Sequence, residues 1–205
     1  MTKIFDNIEF LLGAGNPSQF YKHNHPTLVF LGASNVGKSS LINALFGKKI
    51  AISSKTPGRT QQINFFLSKN TKKPFVVADL PGYGFAKINQ EKFEQISDLC
   101  LEFLLSLQNQ PKSFIFLLLD PSKQLKSADI SALSFLQQQQ LNFHLIFTKI
   151  DKCNQDQITE LNQQISQIIN NFSKPFSLVS AKNSTILTLQ KQIINQILSP
   201  STKPK

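Results

Sequence analysis

The stretch Thr27–Ser40, TLVFLGASNVGKSS, limits what this chain can fold into more than any other. An apolar run, Leu28, Val29, Phe30 and Leu31, ends in Gly32-Ala33-Ser34-Asn35-Val36-Gly37-Lys38-Ser39. Leu41, Ile42, Ala44, Leu45 and Phe46 then follow at helical spacing. This is the pattern G-x-x-x-x-G-K-[ST] between a buried strand and a helix, a phosphate-binding P-loop. Gly32 and Gly37 let the backbone wrap so that successive N–H groups point at phosphate oxygens, and the helix starting near Gly37 adds the positive end of its dipole. Lys38 supplies a cation for the β- and γ-phosphates, and Ser39 a hydroxyl for Mg²⁺. An ordinary glycine-containing βα turn is disfavoured by the strand before the pattern and the helix after it.

The rest of the chain reads as an alternation built on that unit. Ile63–Leu67 and Pro74–Leu80 form two strands joined by the lysine-rich turn at 68–73, an antiparallel hairpin. A helix over Glu91–Leu107 follows, then the fully apolar strand Phe114–Leu119, a helix over Ser127–Gln140 and the strand Phe143–Phe147. A helix over Gln155–Asn171, a last strand Phe176–Val179 and a closing helix Thr185–Leu198 complete the pattern. The expected fold is an α/β P-loop NTPase fold of three α/β/α layers, with a mostly parallel six-stranded sheet and one antiparallel edge strand. Residues 1–24 read as an N-terminal appendage whose short amphipathic segment is broken by Gly13, Gly15 and Pro17; residues 25–199 are the domain, and 200–205 a basic tail. His23 and His25 flank a turn at Pro26 and read as surface residues, not ligands.

Ligands of such sheets bind beyond the carboxyl ends of the strands, so the motifs that follow strands should share one crevice. Asp79-Leu80-Pro81-Gly82 ends a strand as D-x-x-G: Asp79 suits Mg²⁺ through its water shell, and the Gly82 N–H suits the γ-phosphate. Thr148-Lys149-Ile150-Asp151 selects the base. A carboxylate is acceptor-only, so Asp151 fits the adjacent N1–H and N2–H₂ donors of guanine, which adenine lacks on that edge. Lys149 can lay its stem along the base and brace the P-loop, and Ser180-Ala181-Lys182 completes the pocket, with the Ala181 N–H near guanine O6. Pro57-Gly58 marks a turn in the polar segment Lys48–Gln61, and a threonine there offers a second hydroxyl for Mg²⁺.

Charge narrows the partners. The 205 residues carry 22 basic and 12 acidic side chains, a net charge of +10, and no acid lies between Glu9 and Asp79. That stretch holds Lys22, Lys38, Lys48, Lys49, Lys55, Arg59, Lys69, Lys72 and Lys73, which favours a polyanion, with RNA the first candidate. A lysine-rich composition alone does not explain why acids vanish from a third of the chain. Cys100 and Cys153 have no metal-ligand spacing and read as unpaired thiols of a reducing compartment. No apolar run approaches the ~18 residues of a membrane span. Asp6 and Glu9 stand where a signal peptide would be apolar, so a cytoplasmic protein is expected.

Taken together, GASNVGKSS, TPGRTQQINFF, DLPGYGFAK, TKID and VSAK resemble the EngB family of bacterial GTPases over about residues 25–199. The resemblance implies a G domain and a GTP- and Mg²⁺-dependent factor in assembly of the large ribosomal subunit, also needed for normal cell division and septation. It carries over Gly32, Ala33, Ser34, Asn35, Val36, Gly37, Lys38 and Ser39 as nucleotide contacts, with Gly58, Arg59, Thr60, Gln61, Gln62 and Ile63. Asp79, Leu80, Pro81 and Gly82, then Thr148, Lys149, Ile150 and Asp151, then Val179, Ser180 and Ala181, are carried over likewise. Ser39 and Thr60 become Mg²⁺ ligands by the same resemblance, which also selects Thr60 over Thr56. Departures from the family pattern are Ala33 for Arg, Phe93 for Trp, and a missing glycine in Asn183–Ile186; apart from these, Thr148 stands where the common form of the base-selecting motif begins with Asn.

Lys38, Thr60 and Gly82 are the expected catalytic positions. Where many GTPases carry a water-orienting Gln after the D-x-x-G glycine, this chain has Tyr83, and Arg59 is its only arginine. Hydrolysis by the isolated, monomeric protein is therefore expected to be slow, with a partner, or K⁺ bound near Asn35, supplying the missing element. Two other readings are a basic RNA-binding module with a vestigial nucleotide site and an ATP-using P-loop kinase. Intact Lys38, Ser39 and Asp79 oppose the first; Asp151 and the lack of an arginine-rich lid oppose the second.

Overall fold

The computed structural model describes residue 5 and residues 7–51, 61–69, 73–84, 90–110, 112–168, 176–181 and 185–198. Its strands are β1 (Ile8–Ala14), β2 (Thr27–Gly32), β3 (Ile63–Ser68), β4 (Phe75–Asp79), β5 (Ser113–Leu119), β6 (Phe143–Phe147) and β7 (Phe176–Leu178). Its α-helices are α1 (Lys38–Phe46), α2 (Gln90–Ser106), α3 (Ser127–Gln138), α4 (Gln155–Ile168) and α5 (Thr185–Leu198). The strands form one sheet in the order β1-β3-β4-β2-β5-β6-β7.

The apolar runs of β2, β4 and β5 are continuous because both faces of these strands are covered. Successive side chains point to opposite faces. Leu28 and Phe30 join Leu41, Ile42, Leu45 and Phe46 of α1 and Ile186, Leu189 and Ile193 of α5 on one side. Val29 and Leu31 join Leu99 and Phe103 of α2, Leu133 and Leu136 of α3 and Leu161 and Ile165 of α4 on the other. The result is the expected three-layer α/β/α arrangement. Strands β4, β2, β5, β6 and β7 run parallel, so β2 lies in the middle with its carboxyl end flanked by those of β4 and β5.

Two expectations need correction. The sheet has seven strands among the described residues, not six, and its antiparallel member, β3, is not at the edge. Strand β1, drawn from the segment expected as an appendage, covers β3 in antiparallel register from Ile8 opposite Ser68 to Ala14 opposite Ile63. Its alternation is hard to read because an irregularity between Phe10 and Leu12 shifts the register and only Ile8 and Ala14 of the strand are fully buried. Phe10 is exposed yet rests edge-to-face on Phe66, with ring centroids 5.6 Å apart. Phe5 is fully buried against Phe46 and Phe75. The stretch before β2 is thus part of the fold's packing. Tyr21, His23 and His25 stack on one another, half-buried, where free surface histidines were expected. Cys100 and Cys153 are free thiols, as expected.

His144 on β6 is half-buried, and its Nε2 lies 2.8 Å from Ser177 Oγ, which in turn donates to Gln192 Oε1 at 2.7 Å. Burial lowers the His144 pKa below the ordinary 6.5. The folded chain therefore binds fewer protons at this group than the unfolded chain does. The stability it contributes is complete above about pH 6.5 and is lost as pH falls below that value. Urea unfolding at pH 7 and pH 5 should show a smaller acid loss for His144→Gln than for the parent, the remainder including His23, whose pKa burial also lowers. Equal losses in the two proteins would refute this assignment.

Candidate functional site

Four segments meet beyond the carboxyl ends of the strands: 32–39 after β2, 79–83 after β4, 148–151 after β6 and 179–181 after β7. The loop after β2 closes tightly. A Cβ on Gly32 would come within 3.0 Å of the Leu118 carbonyl oxygen, and Gly37 sits at φ +108°, where a side chain is strained. Gly37 is also the N-cap of α1 and offers no side chain to the helix's first N–H groups, which makes that helix end a candidate for an anion. Among the described residues, three non-glycine residues have positive φ, and two of them, Asn35 (64°) and Lys149 (56°), stand in this crevice.

Polar contacts tie the segments together. The Lys38 ammonium pairs with the Asp79 carboxylate, both nearly excluded from water. The Thr148 hydroxyl donates to the Val36 carbonyl at 2.7 Å, with the Leu119 carbonyl 3.2 Å away. Lys149 Nζ reaches the Asn35 carbonyl at 2.7 Å and Asp120 Oδ2 at 2.7 Å. Ser180 Oγ donates to Asp151 Oδ1 at 2.9 Å, and the Ser180 N–H donates to Thr185 Oγ1 at the start of α5. The departure at position 148 thus leaves a hydroxyl that still reaches the P-loop backbone.

The arm after β4 continues as an extension of the sheet. The Leu80 N–H donates to the Phe30 carbonyl, the Tyr83 N–H to the Gly32 carbonyl at 3.3 Å, and the Ser34 N–H to the Tyr83 carbonyl at 2.8 Å. Tyr83 is held a second time, its hydroxyl donating to Asp129 Oδ1 at 2.9 Å. Burial first, then the Asp129 charge and this bond, raise the Tyr83 pKa well above 10. Behind the arm lies a cavity of about 530 Å³ between α2 and α3, lined by Pro81, Tyr83, Phe93, Cys100 and Phe135. Burial pushes the Cys100 thiol up to about 12, against the opposing influence of Lys38, so it is an inert thiol.

Not every expected residue brings its side chain to this crevice. Ile63 is buried in the core opposite Ala14, and the Gln62 side chain lies against Gly13 of β1 and Gly15 just beyond it. Leu80, Val36 and Val179 are also core side chains, leaving only their backbone to act. Gln61 is half-buried. Gly58, Arg59 and Thr60 lie outside the described residues, as does Lys182. Asn43 pins the chain that leads toward them: its Oδ1 accepts from the Ile50 and Ala51 N–H groups at 2.8 Å each, and its Nδ2 donates to the Ala51 carbonyl.

Sequence reasoning passed over Asp120. It ends β5 as Asp79 ends β4, an acid directly after a fully apolar strand, and that was the available signal. Burial alone would raise its pKa; the hydrogen bonds from Lys149 and Ser122 and the Lys149 charge outweigh that and hold the carboxyl below the usual value. Asp120→Ala should leave Lys149 with the Asn35 carbonyl alone and weaken guanine-nucleotide affinity about tenfold in calorimetric titration. Affinity equal to the parent's would show that Asp120 does not position Lys149.

The fold and this crevice recur in known proteins. Residues 27–182 match the family described as 50S ribosome-binding GTPase. The probable GTP-binding protein EngB of Mycoplasmopsis synoviae is 37% identical over 187 residues, covering 91% of this chain and 97% of that one. That of Mycoplasmopsis agalactiae is 42% identical over 160 residues, 76% of this chain and 79% of its own. The crystal structure of a probable EngB superposes with a TM-score of 0.65 at 26% identity, covering 83% of this chain and 98% of that one. Era in complex with MgGDPNP and a segment of 16S ribosomal RNA gives a TM-score of 0.68 at 21% identity over 90% of this chain and 60% of its own, a likeness of fold. The crevice tied together by Thr148 and Lys149 and these matches lead to one conclusion: the chain belongs to the EngB family of GTP-binding proteins and is a GTP-hydrolysing enzyme.

Proposed function

We propose that this enzyme works as a GTP-driven switch in assembly of the large ribosomal subunit, and thereby supports normal cell division and septation. The observation that carries the nucleotide reading is the pair of bonds from Thr148 and Lys149 to the Val36 and Asn35 carbonyls. They fix a base-selecting carboxylate, Asp151, to the loop that would cradle the phosphates, so one rigid unit reads both ends of the nucleotide. Residues 32–39 contribute backbone N–H groups, Lys38 its charge, and Gly82 its N–H at the γ-phosphate; Val179, Ser180 and Ala181 border the base. Gly58, Arg59, Thr60, Gln61, Gln62 and Ile63 belong to the segment that orders around the γ-phosphate.

The residues fit Mg²⁺. The donors on hand are the Ser39 hydroxyl and the Asp79 carboxylate, hard oxygens of the kind that ion selects, with Thr60 as the third candidate. Among the described residues no three His, Cys, Asp or Glu side chains gather into an all-protein cage. That suits an ion held chiefly by phosphates and water. When bound, the ion would neutralise phosphate charge. Lys38 and Asp79, now each other's partner, would turn to the phosphates and to the ion's shell.

Tyr83 has no amide with which to orient water, so the isolated enzyme turns over slowly and draws the missing element from a partner or from K⁺ beside Asn35. Single-turnover hydrolysis should be faster in K⁺ than in Na⁺, or rise on adding ribosomal particles; a fast rate indifferent to both would overturn this. For the base, competition among GTP, GDP and ATP should exclude ATP, and Asp151→Asn should shift preference from guanine toward xanthine by at least about a hundredfold. Unchanged preference would place the base elsewhere.

The basic, acid-free stretch supports a ribosomal RNA surface on the large-subunit precursor, in a monomer at work in the cytoplasm. Among the described residues no helix is long and apolar enough to cross a membrane. Binding to large-subunit particles should exceed that with GDP when GTP is present and weaken at least about tenfold between about 50 and 200 mM salt. Equal binding with the two nucleotides, or a flat salt response, would sink the RNA-facing switch.

A further inference from the structure

Tyr83 is anchored from both sides of its Cα. Its backbone pairs with Gly32 and Ser34 of the P-loop, and its hydroxyl donates to Asp129 on α3. Asp129 is buried and is itself fixed: its second oxygen accepts the Lys126 N–H at 3.0 Å, closing the first turn of α3. Between these anchors Gly82 is pressed onto the loop. A Cβ at that position would lie 3.1 Å from both the Cα and the N of Ser34 and 3.3 Å from the Ala33 carbonyl carbon. There is no comfortable room for a methyl group there, and the Ser34 N–H, one of the loop amides a phosphate would use, is taken by the Tyr83 carbonyl at 2.8 Å.

On the nucleotide reading above, on which this inference rests, the γ-phosphate sits between the loop and the Gly82 N–H. Admitting it means parting the Ser34–Tyr83 contact and lifting Gly82. GDP makes no such demand. The backbone bonds of the arm can be made by any residue, whereas the bond to α3 needs a phenol at 83 and a carboxylate at 129. We propose that the Tyr83–Asp129 hydrogen bond is a latch that holds the arm closed on the P-loop and thereby sets the affinity for GTP relative to GDP. Asp129 is then a positioning residue acting through Tyr83. The cavity under the arm, bounded by Pro81, Phe93 and Phe135, gives the ring and the proline space in which to move.

The test is equilibrium binding of a slowly hydrolysed GTP analogue and of GDP, both with Mg²⁺, to the full chain, Y83F, D129A and the double variant. Y83F removes one hydroxyl and keeps the ring. It should raise the ratio of GTP-analogue to GDP affinity about tenfold, the worth of one hydrogen bond to a carboxylate. D129A should raise it similarly, and the double variant no further than either single change. D129A also removes the α3 cap and lowers stability, but both nucleotides are measured on the same protein, so a merely structural loss leaves the ratio alone. A Y83F ratio within twofold of the parent's, or multiplicative effects in the double variant, would overturn the latch while leaving guanine binding intact. A parent that bound neither nucleotide would instead overturn the site reading, and the latch with it.

Discussion

Lys38 and Asp79 meet where β2 and β4 deliver their carboxyl ends, and both are almost out of water. Removing either partner would strand a buried charge, at about 3–5 kcal/mol, whereas an apolar pair of the same shape would be as stable or more so. Such a pair is an expensive way to hold two strands together. On the function proposed above it makes sense as a charge store: each side chain waits with the opposite charge and would exchange it for a phosphate or a cation's water shell. The neighbouring strand order puts both groups there. With β2 between β4 and β5, three carboxyl ends converge, and the acids that close two of them, Asp79 and Asp120, each meet a lysine of the crevice.

The second tie, from Lys149 to the Asn35 carbonyl and Asp120, explains two uncommon backbone conformations at once. Asn35 and Lys149 both stand at positive φ, where side chains other than glycine are disfavoured. The Thr148 hydroxyl and the Lys149 ammonium satisfy the Val36 and Asn35 carbonyls, which the turn has directed away from any helix or sheet partner. Each turn therefore props up the other. Strain that neither segment would keep alone persists because the crevice over-determines it, and that gives the site its fixed spacing.

Much of this was legible in the sequence, for a physical reason. The P-loop, D-x-x-G and TKID motifs each follow a strand buried on both faces, where a continuous apolar run announces the strand and its end announces the site. Strand β1 was not legible. It covers an edge, buries few side chains, carries a register shift and ends in glycine-rich chain, so neither alternation nor continuity marks it. Asp120 escaped because a lone acid after a strand has no motif around it; its meaning lies in Lys149, twenty-nine residues on. The Tyr83–Asp129 bond spans forty-six residues and two elements, and no local pattern encodes such a pairing.

The charge distribution belongs to the same argument. From residue 10 to residue 78 the chain has no acid, so nothing in the P-loop, α1 or β3 competes for Lys38 or repels an approaching anion. The first carboxylate after that gap is Asp79, the partner Lys38 holds. The same emptiness leaves Lys22, Lys48 and Lys49 exposed with no acid near them in sequence, whereas Lys69 at the β1–β3 edge finds Glu9, the last acid before the gap. One compositional choice thus serves two scales. On the function proposed above, the loop then meets a phosphate with few competing carboxylates, and the exposed lysines of this stretch favour a polyanion. A globular protein gains no stability from such a bias, since like charges repel, so fold stability does not account for an acid-free third of the chain.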